Sequence, residues 1–279
     1  MSEDRPQHTA ARIPRIIYGT AWKGADTEGL VRLAIDQGFR GIDTACQPKH
    51  YNESGVGAAL GACFAGGLSR KDIYLQTKFT TVSGQDPSRI PYDPRVPLER
   101  QLAQSLAASL RNLQTDYLDC LVLHSPLPTE AQTLRAWRAI EALMSAGAVH
   151  RAGISNCYRL AEFQRLYDAA EIKPAVLQNR FYSESGYDRE LRAFCREAQI
   201  VYQSFWTLTA NPHLLRDATI VALASLHRRT PAQILFRYLT QEGVVPLTGT
   251  RSMAHMREDL SIFDFELTSA QRAAISSLL

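Results

Sequence analysis

Short apolar runs alternate with longer segments in which apolar residues recur at helical spacing, and this alternation continues along nearly the whole chain. Residues 16–20, for example, form a β-branched run stopped by Gly19, and residues 26–37 then show a helical pattern that ends at Gly38. The apolar runs predict strands at residues 16–20, 41–42, 73–79, 117–124, 149–155, 175–179, 200–204 and 244–247. The helical patterns predict helices at residues 26–37, 56–64, 97–113, 133–146, 159–170, 188–198, 218–228, 231–240, 255–260 and 268–278, the last with Thr268 as its N-cap.

This order of elements predicts the fold class. Eight strand–helix alternations without a linker or a change of composition favour a single closed (β/α)8 TIM barrel of the α/β class over residues 1–279, in which residues 1–14 form a loosely ordered lead-in. An open doubly wound sheet is the alternative, but the G-x-G-x-x-G motif typical of that fold does not follow the first strand. The connection between residues 80 and 98 is unusually long, and such loops in compact domains are usually functional.

The composition limits the classes of function. The formal net charge is +3, and no Lys- or Arg-rich run of the kind that binds nucleic acid is present. The N-terminus lacks an apolar signal core, and no stretch approaches the roughly 18 apolar residues of a membrane span. Five scattered cysteines give no pattern for a disulfide framework or a zinc site. These features predict a soluble cytoplasmic protein, without a metal, that acts on a small molecule.

Polar residues mark the ends of the predicted strands, where the active site of a (β/α)8 barrel lies. In chain order they are Asp43, Lys78, His124, Ser155 with Asn156, Gln178 with Asn179, and Ser204. Each of them alone also has a structural explanation, such as a snorkelling lysine, a satisfied core histidine or a helix cap. Their common position at strand ends favours a shared site.

An acid, an ammonium and an imidazole beside a tyrosine are suited to proton transfer. A phenol has an ordinary pKa of about 10, and a nearby ammonium stabilises its phenolate. A carboxylate such as Asp43 keeps Lys78 charged and oriented, and His124 can polarise a carbonyl group. The tyrosine phenol of such a set can protonate a carbonyl oxygen while a hydride ion is transferred to the carbonyl carbon. The hydride must come from a cofactor, because no side chain supplies one.

Seven stretches together resemble the aldo-keto reductase family over essentially the whole chain. They are G-T-A-W-K, G-F-R-G-I-D-T-A, L-Q-T-K-F, Y-L-D-C-L-V-L-H-S-P, A-G-I-S-N, L-Q-N and F-D-F-E-L. The resemblance implies a (β/α)8 barrel, often monomeric, that reduces aldehydes or ketones with NAD(P)H. It places Asp43, Lys78 and His124 in the family's catalytic tetrad. For the cofactor it implies Gly19, Thr20, Ala21, Asp43, Ser155, Asn156 and Gln178. Separately, we expect the substrate to enter over Trp22, Tyr51, His124 and the loop of residues 80–98, and Trp22 could equally pack beside the cofactor.

The chain departs from the family at the fourth catalytic position. The family's tyrosine lies five residues after the aspartate, where this chain has Pro48, and the loop here is two residues longer. Counting back from Val56 places His50 at the tyrosine position, one residue before Tyr51. Because only Tyr51 has a phenol, we predict that Tyr51 is the general acid.

A second departure lies on predicted strand seven. The family stacks an aromatic ring on the nicotinamide there, and our count places Gln203 at that position. Phe205 or Trp206 could cover the ring instead, or the stack could be missing, and both aromatic residues could also be ordinary pocket wall. We assign Ser204 and Phe205 to the cofactor site.

A third departure follows predicted strand eight. Leu247 stands where the family has a lysine that meets the 2′-phosphate, and a Gly- and Thr-containing turn with Arg251 comes next. Backbone N–H groups at such a turn can bind phosphate, and an arginine can bind it bidentately. We therefore assign Thr250, Arg251, Glu258 and Asp259 to the cofactor site and predict NADPH rather than NADH.

Three hypotheses of function follow. The first is an NADPH-dependent carbonyl reductase. The second is a nucleotide-binding barrel of the same family with little turnover, which the displaced tyrosine keeps open. The third, a barrel enzyme that uses Lys78 as a Schiff base, is weak because a lysine paired with a carboxylate stays protonated.

Overall fold

The computed structural model describes residues 11–279, in which eight parallel strands close into a barrel. Each strand pairs with its neighbours in chain order, and the barrel closes where the first strand pairs with the last through Ile17 with Leu247 and Tyr18 with Thr248. The strands are β1 (Ile17–Gly19), β2 (Gly41–Asp43), β3 (Tyr74–Phe79), β4 (Cys120–Leu123), β5 (Ala152–Ser155), β6 (Val176–Arg180), β7 (Val201–Phe205) and β8 (Val245–Thr248). The predicted (β/α)8 barrel is confirmed, and the open-sheet alternative is wrong.

Helices follow the strands and cover the outside of the barrel. Within residues 11–279 they are α1 (Thr27–Gln37), α2 (Glu53–Ala65), α3 (Leu98–Leu113), α4 (Glu130–Ser145), α5 (Leu160–Ala169), α6 (Arg189–Glu197), α7 (Ala218–His227), α8 (Pro231–Gln241), α9 (Met253–Leu260) and α10 (Ser269–Ser276). No helix in this part of the chain combines the length and the apolarity that crossing a bilayer requires. The predicted lead-in falls largely on residues 1–10, outside the described residues, and residues 11–14 have no regular structure.

Three helices, α2, α4 and α9, begin two or three residues earlier than their apolar periodicity predicts, and a side chain caps each of them. The helix α2 begins at Glu53, three residues before the predicted start, because the Asn52 side chain accepts a hydrogen bond from Gly55 N at 3.0 Å. Likewise α4 begins at Glu130 because Thr129 caps it. The predicted N-cap of the last helix is confirmed, since Thr268 forms a capping box there.

Alternation along the strands divides the core into two layers. On β3, Leu75 and Phe79 face outward and join the large apolar layer between the barrel and the helices. Tyr74 faces inward and packs in the barrel interior with Cys120 and Val122. The same alternation therefore carries the polar side chains at positions 76 and 78 into the barrel, above the apolar floor.

Candidate active site

A cavity of about 890 Å³ opens at the C-terminal ends of the strands. Its size is at the upper end of the range for small-molecule and cofactor sites. Most of the site residues predicted from the sequence border it, namely Gly19, Ala21, Trp22, Asp43, Tyr51, His124, Ser155, Asn156, Gln178, Phe205, Thr250, Arg251, Glu258 and Asp259. None of residues 80–98 borders it, so the long loop over which we expect the substrate to enter does not line this cavity.

Asp43 and Lys78 form a buried ion pair in which Asp43 borders the bottom of the cavity and Lys78 lies behind it, outside the cavity wall. Lys78 Nζ lies 2.7 Å from Asp43 Oδ1 and 2.6 Å from Oδ2, and it also donates to Thr44 O at 2.9 Å. Burial alone would lower the pKa of Lys78, but the charge and the hydrogen bond of the Asp43 carboxylate outweigh it and raise that pKa. Lys78 is therefore an ammonium at ordinary pH, with its three protons committed to oxygen atoms, which argues against a Schiff-base lysine.

Three buried glutamines surround Asp43 and form what we call the glutamine network, which consists of Gln76, Gln178 and Gln203. Gln76 and Gln178 each donate to Asp43 Oδ1, at 2.6 and 3.0 Å, and each also donates to Gln203 Oε1 at 2.8 Å. Gln203 donates back to Gln76 Oε1 at 3.0 Å, and Tyr74 OH donates to the same oxygen at 2.9 Å. The Asp43 carboxylate is thus held by amides from two strands, β3 and β6, as well as by its ammonium partner, and Gln203 on β7 braces both amides.

His124 is oriented by groups on both sides. Its Nδ1 lies 2.6 Å from Thr80 Oγ1, and its backbone oxygen accepts from Asn156 Nδ2 at 2.8 Å. Thr80 is in turn held by Gln85 Nε2 and Tyr92 OH, which both donate to its backbone oxygen. The long connection after β3 therefore acts on the site from behind, by fixing the threonine that positions the imidazole.

The electrostatic surroundings keep His124 neutral. Burial, with a contribution from the nearby positive charges of Lys78 and His50, lowers its pKa to about 3. The ring nitrogen that Thr80 does not contact, Nε2, remains for a ligand in the cavity.

Tyr51 lies against both of these groups. Its ring centroid is 5.1 Å from Lys78 Nζ, and the ring meets the His124 imidazole edge-to-face at a centroid distance of 6.2 Å. Burial raises the pKa of Tyr51, although the Lys78 ammonium acts in the opposite direction. The phenol is consequently protonated at neutral pH and has a cation beside it that would stabilise its anion.

His50 borders the same cavity but makes a different contact. Its imidazole packs on the Trp22 ring with centroids 3.7 Å apart, and its backbone oxygen accepts from Trp22 N at 2.8 Å. Its pKa is lowered by burial and by the neighbouring Lys49. The extra residues of this loop thus bring Tyr51 to the Asp43–Lys78 pair, while the ring of His50 stacks with Trp22.

Two predicted cofactor residues do not border the cavity. Thr20 is fully buried, and its hydroxyl donates to Asp43 O at 2.9 Å. Ser204 is also buried, and its hydroxyl accepts from Thr207 at 2.9 Å. Both hydroxyl groups are used within the protein, and neither side chain is part of the cavity wall.

Gln203, at the sequence position where the family stacks an aromatic ring, does not border the cavity. Gln203 is completely buried in the glutamine network, whereas Phe205 and Trp206 border the cavity. Residues 203 and 205 face the same side of β7, but Phe205 lies one layer higher. The aromatic surface predicted for this wall is therefore present at Phe205, and Trp206 adjoins it.

The turn after β8 is tied to the turn after β1. Arg251 Nη1 lies 2.6 Å from Asp26 Oδ2, and Arg251 Nη2 donates to Trp22 O at 2.9 Å. Lys23, which the sequence analysis did not identify, donates to Gly249 O. Burial and the nearby Arg251 lower the pKa of Lys23 to about 8.

Asp259 lies deeper in the same wall. Burial raises its pKa to about 6, although its hydrogen bond from Thr248 Oγ1 at 2.7 Å opposes that change.

Sequence reasoning also missed Gln76 and Arg180. For Gln76 a signal was available, because it stands two residues before Lys78 on an alternating strand.

Comparisons with known proteins agree with this architecture. The aldo/keto reductase family pattern matches residues 15–279. The chain is 30% identical to methylglyoxal reductase DkgA of Yersinia pestis, over 95% of this chain and 89% of that protein. It is 31% identical to glyoxal reductase of Bacillus subtilis, over 91% of this chain and 84% of that protein. A crystal structure of an aldo/keto reductase from Brucella melitensis superposes with a TM-score of 0.81 at 30% identity, over 96% of this chain and 95% of that one.

The family consists of oxidoreductases that act on carbonyl compounds with nicotinamide cofactors. The closed barrel, the cavity at its C-terminal mouth and the match over nearly all described residues lead to one conclusion: the chain belongs to the aldo/keto reductase family.

Proposed function

We propose that this protein reduces aldehydes or ketones to alcohols with NADPH, with Tyr51 as the general acid. The observation that carries the proposal is the contact of the Tyr51 ring with both Lys78 and His124 at the bottom of the cavity. Two relatives are named reductases of methylglyoxal and glyoxal, so we propose small α-oxoaldehydes as first substrates. The cavity then serves a small-molecule carbonyl compound, and we propose that the protein acts as a monomer.

The residues of the chain supply the proton. In the proposed reaction the Tyr51 hydroxyl donates its proton to the carbonyl oxygen, and Lys78 stabilises the phenolate that remains. Asp43 keeps Lys78 charged. Neutral His124 holds the carbonyl oxygen through an Nε2–H donor, in the tautomer in which the Thr80 hydroxyl donates to Nδ1.

The wall formed by β5, β6 and β7 fits a nicotinamide, which when bound supplies the hydride. Both amide protons of Gln178 are used by Asp43 and Gln203, so its Oε1 is left as an acceptor for a carboxamide N–H. The Ser155 hydroxyl accepts from Asn156 Nδ2 and keeps its own proton for the carboxamide oxygen. Phe205 offers an aromatic face beside them.

The preference for NADPH rests on Arg251. Its pair with Asp26 is exposed, with about half of the Arg251 side chain and 65% of the Asp26 side chain accessible, and such surface pairs contribute little to stability. A 2′-phosphate carries more negative charge and more acceptor oxygens than a carboxylate. We propose that it displaces Asp26 from Arg251 when NADPH binds.

The decisive experiment compares two substitutions in the loop. NADPH oxidation is followed with methylglyoxal for the native protein, Tyr51→Phe and His50→Ala. We expect Tyr51→Phe to lower kcat by about 10²–10⁴-fold, the usual contribution of a general acid, and His50→Ala to retain most of it. If His50→Ala abolishes turnover and Tyr51→Phe does not, the assignment of Tyr51 is wrong. If the native protein binds NADPH but oxidises none of it with a panel of aldehydes, the second hypothesis, a binding barrel, replaces the reductase.

A further inference from the structure

Arg180 is the last residue of β6 and borders the cavity. Its guanidinium carbon lies 4.3 Å from the centroid of the Trp206 ring and 5.2 Å from that of Tyr182. Its backbone N–H donates to Tyr158 OH at 3.2 Å. The two rings hold the guanidinium in place at the mouth of the barrel without satisfying its hydrogen-bond donors.

The charge of Arg180 is not balanced by an acid. Among residues 11–279 its guanidinium forms no ion pair and no side-chain hydrogen bond, and its Nε is buried without a partner. A buried donor on a charged group without a partner is uncommon in folded proteins. Because Arg180 borders the cavity, an anion with oxygen acceptors that binds there can pair with the charge of its guanidinium.

The other lysine and arginine side chains that border the cavity already have oxygen partners. Lys23 donates to the carbonyl oxygen of Gly249, and Arg251 is paired with Asp26. Among the described residues of the cavity wall, Arg180 is therefore the permanent cation whose side chain is available to a ligand without breaking a hydrogen bond.

The position of Arg180 in the barrel indicates which anion its guanidinium would bind. In a closed barrel of eight strands, β6 lies opposite β2, so Arg180 stands across the mouth from the loop that carries Tyr51. It pairs in register with Phe205 and follows Gln178 by two residues, both on the wall proposed for the nicotinamide. An anion on this wall belongs to the cofactor rather than to a carbonyl compound held by Tyr51 and His124.

We propose that Arg180 binds a phosphate oxygen of the diphosphate of the dinucleotide. This inference rests on the proposed function in that it takes the ligand to be a nicotinamide dinucleotide. It distinguishes two cationic sites in one cavity. Arg180 would recognise the diphosphate, which NADPH and NADH share, whereas Arg251 would recognise the 2′-phosphate, which only NADPH carries.

The test is equilibrium binding of NADP⁺, NAD⁺ and adenosine 2′-monophosphate, measured by calorimetry and independent of turnover. Arg180→Met should weaken both dinucleotides by the same factor, about tenfold to a hundredfold for a lost charge-assisted hydrogen bond, and leave adenosine 2′-monophosphate unchanged. Arg251→Met should weaken NADP⁺ and adenosine 2′-monophosphate but not NAD⁺. Arg196→Met is the matched control, because Arg196 is exposed on α6 and does not border the cavity.

Thermal melting of each variant shows whether it folds, and Arg180→Lys, which keeps the charge, should recover part of the dinucleotide affinity. The inference is overturned if folded Arg180→Met binds NADP⁺ and NAD⁺ as the native protein does. It is equally overturned if the only change is a higher KM for an aldehyde that carries a carboxylate, since the guanidinium then serves the substrate. A native protein that binds both dinucleotides through Arg180 but reduces no carbonyl compound would refute the proposed reductase and leave this inference standing.

Discussion

Replacing Gln76 with leucine removes the side chain that makes the most hydrogen bonds in the glutamine network. Gln76 donates to Asp43 and Gln203 and accepts from Gln203 and Tyr74, so all four of its hydrogen-bonding positions are used. Leucine of similar volume leaves the Tyr74 hydroxyl and the Gln203 amide buried without that acceptor. Each orphaned buried group costs about 1–3 kcal/mol, so we expect the free energy of unfolding to fall by about 2–6 kcal/mol.

The assay is urea denaturation at pH 7.5 of the native protein and three variants. Their free energies of unfolding are compared when all four proteins share the same slope m of free energy against urea concentration. Tyr74→Phe alone should cost about 1 kcal/mol, because Gln76 Oε1 still accepts from Gln203. In the double variant Gln76→Leu/Tyr74→Phe the phenylalanine no longer presents a hydroxyl that lacks an acceptor. The double variant should therefore be more stable than additivity predicts, by about 1 kcal/mol or more.

Strict additivity of the two substitutions would refute this reasoning, because it would mean that the Tyr74 hydroxyl does not depend on Gln76. A loss below about 1 kcal/mol in Gln76→Leu would refute it as well, since the buried donors would then have found other partners.

Three further predictions concern charge. Asp259 has a pKa of about 6 in the folded protein, against an ordinary value of 3.8, so the stability that it contributes is present below about pH 4 and is lost as the pH rises through 6. Asp259→Asn should therefore raise the free energy of unfolding by about 2 kcal/mol at pH 7.5 and have no such effect at pH 4. An effect that does not depend on pH would contradict this prediction. His124, whose pKa is lowered to about 3, should show no protonation in an NMR titration down to about pH 4. Because the unfolded chain takes up that proton near pH 6.5, His124 should make the protein progressively less stable as the pH falls from 6.5 toward 3, and His124→Gln should remove this dependence. Finally, Asp26→Asn should tighten NADPH binding relative to NADH, because Arg251 no longer has to leave a carboxylate, and an unchanged ratio of affinities would contradict the role of Arg251.

The sequence predicted the barrel, and most of the site residues that it indicated border the cavity, because strand order and strand ends are local properties of an alternating pattern. The depth of a side chain is not local. Gln203 and Phe205 face the same side of β7, and only the assembled barrel shows that the cavity begins at the level of Phe205. The starts of α2 and α4 were misplaced because apolar periodicity begins after the capping residues Asn52 and Thr129.

Contacts between distant segments were also invisible in the sequence. Arg251 was correctly placed at the cavity, but its pairing with Asp26 joins residues 225 positions apart. Nothing in either local sequence specifies that contact. It exists because the first and last strands are neighbours in a closed barrel.

The junction between β1 and β8 is short, with two registered residue pairs, and it joins the two ends of the barrel sequence. Without it the sheet would have two unpaired edge strands, β1 and β8, to which strands of other chains can pair. The contacts of Lys23 with Gly249 and of Arg251 with Asp26 span this same junction just above the strands. Loss of the last strand by truncation would therefore do more than remove cavity wall: it would convert a closed barrel into an open sheet prone to edge-to-edge aggregation.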